Sequence, residues 1–280
     1  MIEEIDWNKM WMEATENASW SKRRGDMAEF WDKRSRKYSE SLKHNDRSMQ
    51  MISKLDIDPE CTVLDIGAGP GTLTIPLARI VKHVTVVEPS SGMLACLRAN
   101  AADDGLTNIT CINRKWEDAT PGADLDVYDV VIASYSLAML DMKAALSKMN
   151  RVARRSVYLF TFAGSRAWDY NELWPRLYNE EYRTAPDYIY LCNILYGMGI
   201  YADVEIIDTE HKERFSSMDE AVEQRMENLG STTREAEEII RSYLSENLVQ
   251  EDGAFWSKHK MKGAVIHWRT DNGDWGDNEV

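Results

Sequence analysis

A glycine-rich loop between two apolar segments constrains this chain more than any other feature of its sequence. The run VLDIGAGPGT begins at Val63 as an apolar strand, and Gly67, Gly69 and Gly71 then follow at alternate positions. Glycine lets a backbone turn sharply and approach a ligand without a Cβ in the way. A helical run from Leu73 to Ile80 follows at once, and the first turn of a helix offers unpaired N–H groups. The loop therefore predicts a strand–turn–helix unit that holds a ligand.

An acidic residue closes the next strand and narrows the choice of ligand. The run VTVVEPS ends its apolar part at Glu88, and an acid in that place can accept hydrogen bonds from ribose hydroxyls. The dinucleotide fingerprint needs Gly or Ala at its sixth position, whereas the sixth residue counted from Gly67 is Thr72. Asp65 precedes the first glycine by two positions in an otherwise apolar strand. The pattern indicates a nucleoside with a charged tail rather than a dinucleotide.

Four segments resemble motifs of the class I S-adenosylmethionine (SAM) methyltransferases, in particular the type 11/12 group. VLDIGAGPGTLTIPLA resembles motif I, VVEPSSGML motif II, YDVVIASYSLAML motif IV, and SVYLFTF the strand that follows it. The similarity extends over residues 56–162. It implies a SAM-dependent methyltransferase, with SAM as the cofactor and S-adenosylhomocysteine as the product.

The resemblance also implies which residues form the cofactor site. The glycines would approach the methionine part of SAM, Glu88 would hold the ribose, Met93 would pack near the adenine, and residues 114–118 would lie by the adenine edge. No catalytic residue is assigned. The expected cofactor-binding residues are Tyr38, Asp65, Gly67, Ala68, Gly69, Gly71, Glu88, Pro89, Met93, Trp116, Glu117 and Ser134.

The N-terminal segment resembles a lid of the same family. The run WDKRSRKY, from Trp31 to Tyr38, is similar to a WDxxAxxY-like segment that lies over the SAM pocket, with Ser35 where a small residue is usual. We therefore expect residues 1–55 to form an N-terminal helical lid that presents Tyr38 to the cofactor. Its helices are expected at 6–18, 26–43 and 46–55.

Strands and helices alternate as far as residue 162, which predicts an α/β fold with a parallel sheet and helices on both faces. The expected architecture is a Rossmann-like, seven-stranded, mostly parallel sheet, and the resemblance makes the last strand antiparallel and inserts it between strands five and six. A helical insertion precedes that last strand. Strands are expected at 62–66, 83–88, 108–113, 130–133, 156–162, 203–208 and 262–269, and helices at 72–81, 91–103, 141–150, 187–199, 218–228 and 233–247. The expected domains are the lid, a SAM-binding core at 56–162, the remaining sheet with substrate-side insertions at 163–270, and an acidic tail at 271–280.

The substrate should lie outside the carboxyl ends of the strands, as ligands of open α/β sheets do. Tyr135, Trp168 and Tyr170 are the substrate-side candidates, because aromatic faces attract a cation such as a sulfonium; alternatively, these side chains pack the lid against the sheet. The segment Ala133–Ser136 lacks the Asn/Asp-Pro-Pro-Tyr motif of DNA and glutamine methylases, which counts against nucleobase and amide nitrogens and favours a small-molecule or protein acceptor, of which we expect a small molecule. His211 is a candidate base, although a surface histidine is the simpler interpretation.

Composition limits the partners and the location that we expect. The net charge of -14 opposes nucleic acid binding, which depends on neutralising phosphates. No apolar run approaches the roughly 20 residues that span a bilayer, and the acidic N-terminus does not resemble a signal peptide. We therefore expect a cytoplasmic protein without a membrane or nucleic acid partner, and a homodimer is left open. The four cysteines show no CxxC spacing, so no metal is expected.

Two other functions compete with a methyltransferase at this stage. One is a catalytically silent SAM-binding protein that acts as a regulatory partner. The other is an NAD-binding oxidoreductase, which Thr72 at the sixth position of the loop disfavours.

Overall fold

An eight-stranded β-sheet lies at the centre of the protein. The computed structural model describes residues 5–21, 25–42, 47–164 and 168–270, without the side chains of residues 47 and 168, so the expected tail at 271–280 lies outside the described residues. The strands are β1 Thr62–Ile66, β2 His83–Val87, β3 Ile109–Ile112, β4 Tyr128–Ser134, β5 Ala153–Ala163, β6 Asp203–Phe215, β7 Val249–Glu251 and β8 Ala254–Arg269. Their order in the sheet is β3-β2-β1-β4-β5-β8-β6, and β7 pairs with β8.

The sheet is parallel from β3 to β5 and antiparallel at β8. Strand β1 pairs with β2 and β4, β2 with β3, and β4 with β5, all in parallel, whereas β8 runs antiparallel to both β5 and β6. The predicted Rossmann-like fold is therefore confirmed, including the last long strand between the fifth and the sixth. Strands β1 and β2 each end in four consecutive buried residues, which is typical of strands covered on both faces.

Helices cover both faces of the sheet. They are α1 Trp7–Asn17, α2 Met27–Leu42, α3 Arg47–Ile52, α4 Thr74–Ala78, α5 Ser91–Asp103, α6 Met142–Val152, α7 Trp168–Tyr178, α8 Tyr188–Gly197, α9 Met218–Leu229 and α10 Arg234–Asn247. Helices α1, α6 and α8 share an apolar core with one face, and α3, α4 and α5 share a second core with the other.

The N-terminal segment, expected to form a single lid over residues 1–55, is divided between the two faces. Trp11 of α1 is 3% exposed, and its indole N–H donates to the carbonyl of Met139 at 2.9 Å, which fixes α1 on the face of α6 and α8. Helix α2 packs along α5 on the other face. Asn100 of α5 contacts Ser39 of α2 at 3.4 Å and the carbonyl of Pro70 in the glycine loop at 2.9 Å. Helix α2, rather than the whole segment, is therefore the element beside that loop.

Strands β6 and β8 are longer than the sequence predicts, and β7 is an additional short strand. Strand β6 was expected to end at residue 208 and continues to Phe215, while β8 was expected to start at residue 262 and starts at Ala254. The added part of β6, TEHKERF, carries four charged side chains and a histidine. Its covered positions are themselves mostly polar, so no apolar alternation marks it as a strand.

The extended part of β6 and β8 carries a cap, which we define as α7, α9, α10 and the strand residues 209–215 and 254–261. Strand β5 ends with Ala163 opposite Lys262, and the β6–β8 ribbon continues beyond that point. The cap therefore projects past the carboxyl edge of the parallel strands and has an apolar core of its own. Helix α7 lies in the aromatic segment 163–185, to which the sequence assigned no element.

A buried ionic cluster joins three elements of the cap. Arg225 of α9 donates to Asp169 of α7 and to Glu213 of β6, both at 2.6 Å, and its side chain is 6% exposed. Burial by itself would raise the pKa of the Glu213 carboxyl, but the charge of Arg225 and the hydrogen bonds from Arg225 and His211 together outweigh burial and hold that pKa well below its usual range. A buried charge is tolerated when it is paired in this way.

Candidate active site

The glycine loop turns in the left-handed region at the carboxyl end of β1. Gly67, Gly69 and Gly71 have φ angles of 70°, 57° and 95°, a region that glycine enters without steric cost. The Gly67 N–H donates to the carbonyl of Val87 at 2.8 Å, and the Gly71 N–H donates to that of Ala68 at 3.1 Å. The loop is therefore held against the end of β2, where Glu88 follows.

The three glycines differ in what a side chain would meet. A Cβ on Gly67 would lie 2.3 Å from Cβ of Ser136, and one on Gly71 would lie 2.9 Å from Cγ1 of Ile75. A Cβ on Gly69 would have no heavy atom within 4 Å. Gly67 and Gly71 therefore serve close packing within the protein, while Gly69 presents bare backbone to open space, as a ligand cradle requires.

Glu88 lies directly beside Gly69. Glu88 is 6% exposed as a residue, and its carboxylate accepts from the N–H groups of Gly69 and Ser90, each at 2.9 Å. Burial raises the pKa of Glu88, and the two N–H donors partly oppose the effect of burial. A carboxylate has about four acceptor positions, so Glu88 can accept about two more hydrogen bonds. This donor and acceptor pattern fits the two hydroxyls of a ribose.

Asp65 stabilises the glycine loop through a buried hydrogen bond. The hydroxyl of Thr74, in the helix after the loop, donates to the carboxylate of Asp65 at 2.6 Å, so residues on both sides of the glycines are tied together. Asp65 is 1% exposed. Burial raises its pKa to about 7, against the effect of the Thr74 hydrogen bond and with a further contribution from the charge of Glu88.

The segments expected to surround the adenine follow β2 and β3. Met93 is 2% exposed, and the side-chain amide of Asn113 donates to the carbonyls of Glu88 at 3.0 Å and Pro89 at 2.9 Å. The indole of Trp116 is 3% exposed, and its N–H donates to the carbonyl of Ala145 in α6 at 3.3 Å. The Trp116 ring is therefore packed in the core, and the neighbouring Glu117 is exposed.

Tyr135 lies where β4, β5 and β8 meet. It follows Ser134, the last residue of β4, and has a φ of 53°, which is uncommon for a residue other than glycine and marks a constrained position. Its N–H donates to the carbonyl of Phe160 at 2.8 Å, and its ring centroid is 4.6 Å from that of Phe162. Its hydroxyl lies 3.1 Å from where a Cβ on Gly263 would be.

The other aromatic candidates belong to α2 and the cap. Tyr38 is 38% exposed, and its ring centroid lies 5.1 Å from that of Trp31 on the same helix. Tyr170 stacks on Tyr182 with centroids 5.3 Å apart, beside a cavity of about 300 Å³ between α2 and the cap. The side chain of Trp168 lies outside the described residues. Of the substrate-side candidates with described side chains, Tyr135 is at the sheet edge and Tyr170 is in the cap.

His211 lies within β6, in the part of the strand beyond residue 208 that the sequence did not predict. It is the register partner of His259 in β8, and its Nε2 lies 3.7 Å from the Glu213 carboxylate. His259 Nε2 lies 3.4 Å from the carboxylate of Asp169. Both histidines are therefore part of the cap's ionic cluster.

Sequence reasoning missed two residues beside Glu88. Asp32 of α2 accepts from the Ser90 hydroxyl at 2.6 Å and from the Gly92 N–H at 2.7 Å, and these two contacts are the main cause of its lowered pKa, that of Ser90 first. The Ser90 hydroxyl in turn accepts from the Met93 N–H at 3.0 Å as the N-cap of α5. A serine directly before a helical run is a typical N-cap signal, so Ser90 was detectable in the sequence, whereas its contact with Asp32 was not.

Neither a metal cluster nor a membrane span was found in the part of the chain that the structure describes. No group of three or more His, Cys, Asp or Glu side chains there is placed to hold a metal ion. No helix among those residues is both long and apolar enough to cross a membrane.

Comparisons with known proteins agree with this geometry. Residues 63–156 match the family model described as a methyltransferase domain. A proposed methyltransferase from Bacillus halodurans, known from a crystal structure, has the same fold, with a TM-score of 0.55, 16% identity, and coverage of 80% of this chain and 98% of that one. The matched residues are a methyltransferase domain that runs from β1 to the start of β5, and SAM is its cofactor.

Two sequence relatives differ in how much of the chain they cover. An uncharacterized protein of Haemophilus influenzae is 29% identical over 247 residues, which cover 86% of this chain and 89% of that protein. The 23S rRNA (uracil(1939)-C(5))-methyltransferase RlmD of Methylococcus capsulatus is 45% identical over 60 residues, which cover 21% of this chain and 14% of that enzyme. Similarity to the rRNA enzyme is thus confined to a short segment.

Proposed function

We propose that this chain, a class I SAM-dependent methyltransferase, transfers the methyl group of SAM to a small molecule bound between the glycine loop and the cap. The observation that carries the proposal is the position of the cap, which projects past the carboxyl edge of β5 on the β6–β8 ribbon. Ligands of such sheets bind at that edge, and a cap over it favours an acceptor small enough to be enclosed.

The residues of the chain would act by binding and orienting. SAM supplies a methyl group on a positively charged sulfur. The bare backbone at Gly69 gives close approach, Glu88 accepts from the ribose hydroxyls, and Asp65 with Thr74 keeps the loop in place. Positioning of this kind can contribute roughly 7–11 kcal/mol to lowering a barrier. We assign no general base.

The remaining expected cofactor contacts are part of the same proposal. Met93 and Pro89 would border the adenine, and Ser134 and Ala68 would line the methionine side. Trp116 would contribute through its backbone, because its ring is packed against α6. Tyr38 would contribute from α2.

The acceptor side is proposed around Tyr135. Its constrained backbone holds the ring at the end of β4 on the same edge as the glycine loop. Tyr170, and Trp168 at the start of α7, would border the acceptor from the cap. The net charge of -14 and the absence of an Asn-Pro-Pro-Tyr motif after β4 both favour a small molecule over a nucleobase.

An RNA acceptor is the second candidate, because one short segment of the chain is similar to an rRNA methyltransferase. Methyl-labelled SAM is incubated with the protein and either a panel of small phenols, amines, thiols and carboxylic acids or total ribosomal RNA. We expect S-adenosylhomocysteine release with label in members of the small-molecule panel. Label in RNA alone would overturn the acceptor class, and SAM binding without transfer to either set would favour a silent binding protein.

Binding measurements test the cofactor site independently of the acceptor. Calorimetry should show binding of SAM and S-adenosylhomocysteine and no comparable binding of NAD. Glu88→Gln keeps the size of the side chain but removes its charge, and a hydrogen bond to a charged group is worth about 1.5–3 kcal/mol. The variant should therefore bind S-adenosylhomocysteine at least about tenfold more weakly, and an unchanged affinity would place the ribose elsewhere.

A further inference from the structure

Ser90 forms hydrogen bonds with three separate parts of the site. It is completely buried, with 0% of its surface exposed. Its N–H donates to the Glu88 carboxylate at 2.9 Å, and its hydroxyl donates to the Asp32 carboxylate at 2.6 Å while accepting from the Met93 N–H at 3.0 Å. One residue therefore connects the expected ribose acid, the helix α2 and the N-terminus of α5.

Helix α2 fits against that N-terminus closely. The same carboxylate oxygen of Asp32 that accepts from Ser90 also accepts from the Gly92 N–H at 2.7 Å. A Cβ on Gly92 would lie 2.8 Å from the Ser35 hydroxyl oxygen and 3.1 Å from the carbonyl oxygen of Asp32. Ser35 is 5% exposed, so a small residue is needed at each of these two positions for the helices to approach.

The orientation of Glu88 depends on the same turn of backbone. Its carboxylate is fixed by the N–H of Gly69 on one oxygen and by that of Ser90 on the other. A shift of residue 90 would therefore turn the carboxylate relative to Gly69. Asp32 is the group of α2 that holds residue 90 through its side chain, so the docking of α2 and the geometry of Glu88 share one anchor.

We infer that the Asp32–Ser90 hydrogen bond couples the docking of helix α2 to the binding of the ribose by Glu88. Asp32 and Ser90 are positioning residues in this scheme, since they act on the cofactor through Glu88. The inference rests on the proposed role of Glu88. Coupling between two sites is reciprocal in free energy, so docking of α2 strengthens cofactor binding and the bound cofactor strengthens docking.

The test is a double-mutant cycle read out with S-adenosylhomocysteine. Asp32→Ala removes the acceptor from α2, and Ser90→Ala removes the hydroxyl but leaves the N–H that donates to Glu88. The double variant combines them. Asp32→Asn is the conservative variant, because its carbonyl oxygen can still accept from both Ser90 and Gly92. Affinity is measured by calorimetry and folding by thermal melting for each protein.

Asp141 offers a matched control on the opposite face of the sheet. Its carboxylate caps α6 through the Ala144 N–H at 3.0 Å and accepts from Asn8 of α1 at 3.1 Å. It therefore joins an N-terminal helix to a helix start in the same way as Asp32, but away from Glu88. Asp141→Ala measures the general effect of losing such a contact.

The two single variants should each bind S-adenosylhomocysteine about tenfold more weakly than the wild type. The affinity of the double variant should lie within about threefold of that of either single variant, because the effects of substituting residues that act as one unit are not additive. Asp32→Asn and Asp141→Ala should stay within about threefold of the wild type. Effects that multiply in the double variant, or an Asp32→Ala affinity equal to that of the wild type, would overturn the coupling. A wild type that fails to bind S-adenosylhomocysteine would instead overturn the proposed function.

Discussion

Gly67 and Gly69 both have a left-handed backbone, but they differ in the space available to a side chain. At Gly67 the neighbouring atom is Cβ of Ser136, 2.3 Å from where a side chain would begin. At Gly69, apart from its two chain neighbours, no heavy atom lies within 4 Å of where a side chain would begin. Glycine at position 67 therefore avoids a steric clash within the protein, whereas glycine at position 69 leaves the backbone accessible to a ligand.

Alanine at each position should separate these two requirements. Gly69→Ala carries only the cost of a left-handed backbone, about 1–2 kcal/mol, and should fold while binding S-adenosylhomocysteine at least about tenfold more weakly. Gly67→Ala adds the overlap with Ser136, for which overpacking costs about 1–3 kcal/mol more, and should melt at a lower temperature than Gly69→Ala. Melting curves and calorimetry on both variants make the measurement. Equal melting temperatures with unchanged affinity for Gly69→Ala would contradict this assignment.

Asp65 should make the stability of the ligand-free protein depend on pH. Its pKa is raised from 3.8 to about 7 by burial, so between those values the folded state holds a proton that the unfolded state has lost. The free energy of unfolding therefore falls as the pH rises through this range. Asp65→Asn removes this titration, so the melting temperature of the wild type relative to Asp65→Asn should decrease from pH 5 to pH 8.

Asp58 supplies the control for that measurement. Its pKa is lowered below 3.8, first by the hydrogen bond from Arg155, so it stays ionised over the range from pH 5 to pH 8. The difference between the wild type and Asp58→Asn should therefore be constant over that range. If the difference for Asp65→Asn is equally constant, Asp65 is ionised throughout and the burial argument fails.

At the scale of elements, the cap depends on one arginine. Arg225 joins α7, β6 and α9 through Asp169 and Glu213. Breaking a buried ion pair from one side leaves charges without compensation, which costs about 3–5 kcal/mol. Arg225→Ala should lower the free energy of unfolding by that amount in urea titration.

Arg241 is the comparison within the same cap. It also pairs with two acids, Asp219 at 2.7 Å and Glu237 at 3.1 Å, but its side chain is 40% exposed. Exposed pairs contribute about 0–1 kcal/mol, so Arg241→Ala should change stability little. Similar losses for the two arginines would show that burial of the Arg225 cluster does not govern its contribution.

The elements that could be predicted from sequence are those with an apolar pattern or a motif. The strand at 62–66 and the helix at 91–103 were predicted with their observed bounds, because apolar residues recur along each of them. The extended part of β6 was missed because its covered positions include the polar residues Thr209, His211 and Glu213, so no apolar alternation marks a strand there. Its neighbour α7 was missed because an aromatic segment with a proline has no clear helical period.

The residues of the candidate site also differ in whether the sequence could predict them. The glycine loop and Glu88 could be identified because their residue types are required locally by backbone and charge. Asp32 could not, because its partner lies 58 positions away in Ser90 and no local pattern encodes a contact of that range. A single lid was expected at 1–55 because α1 and α2 are both amphipathic helices. The sequence of such a helix does not show which face of the sheet the helix covers.

At the scale of the whole molecule, α2 joins three parts of the protein. It packs along α5, its Asp32 contacts the turn after Glu88, and its Arg34 donates to the carbonyl of Glu227 in the cap at 3.2 Å. Helix α1 lies on the opposite face with Trp11 in the core. The two N-terminal helices should therefore respond differently to the cofactor.

Hydrogen exchange should show that difference. Elements that close over a ligand are drawn from the less stable parts of a fold, so S-adenosylhomocysteine should slow exchange across residues 27–42. Exchange across residues 7–17 should stay unchanged and serves as the control within the same sample. Equal slowing of both helices would indicate general stabilisation, and no slowing in 27–42 would remove α2 from the cofactor site.

The β6–β8 ribbon has a consequence for how such proteins can diversify. Phe215 and Phe255 are register partners, so the chain between them, which includes α9, α10 and the short strand β7, starts and ends at the same point of the β6–β8 ribbon. Residues 216–254 could therefore be exchanged for a segment of any length whose ends meet across one strand pair, without a shift of register in β5, β8 or the glycine loop. The junction is therefore a point at which a helical module can be inserted, removed or replaced in the hairpin, while the part of the protein that carries the glycine loop stays unchanged.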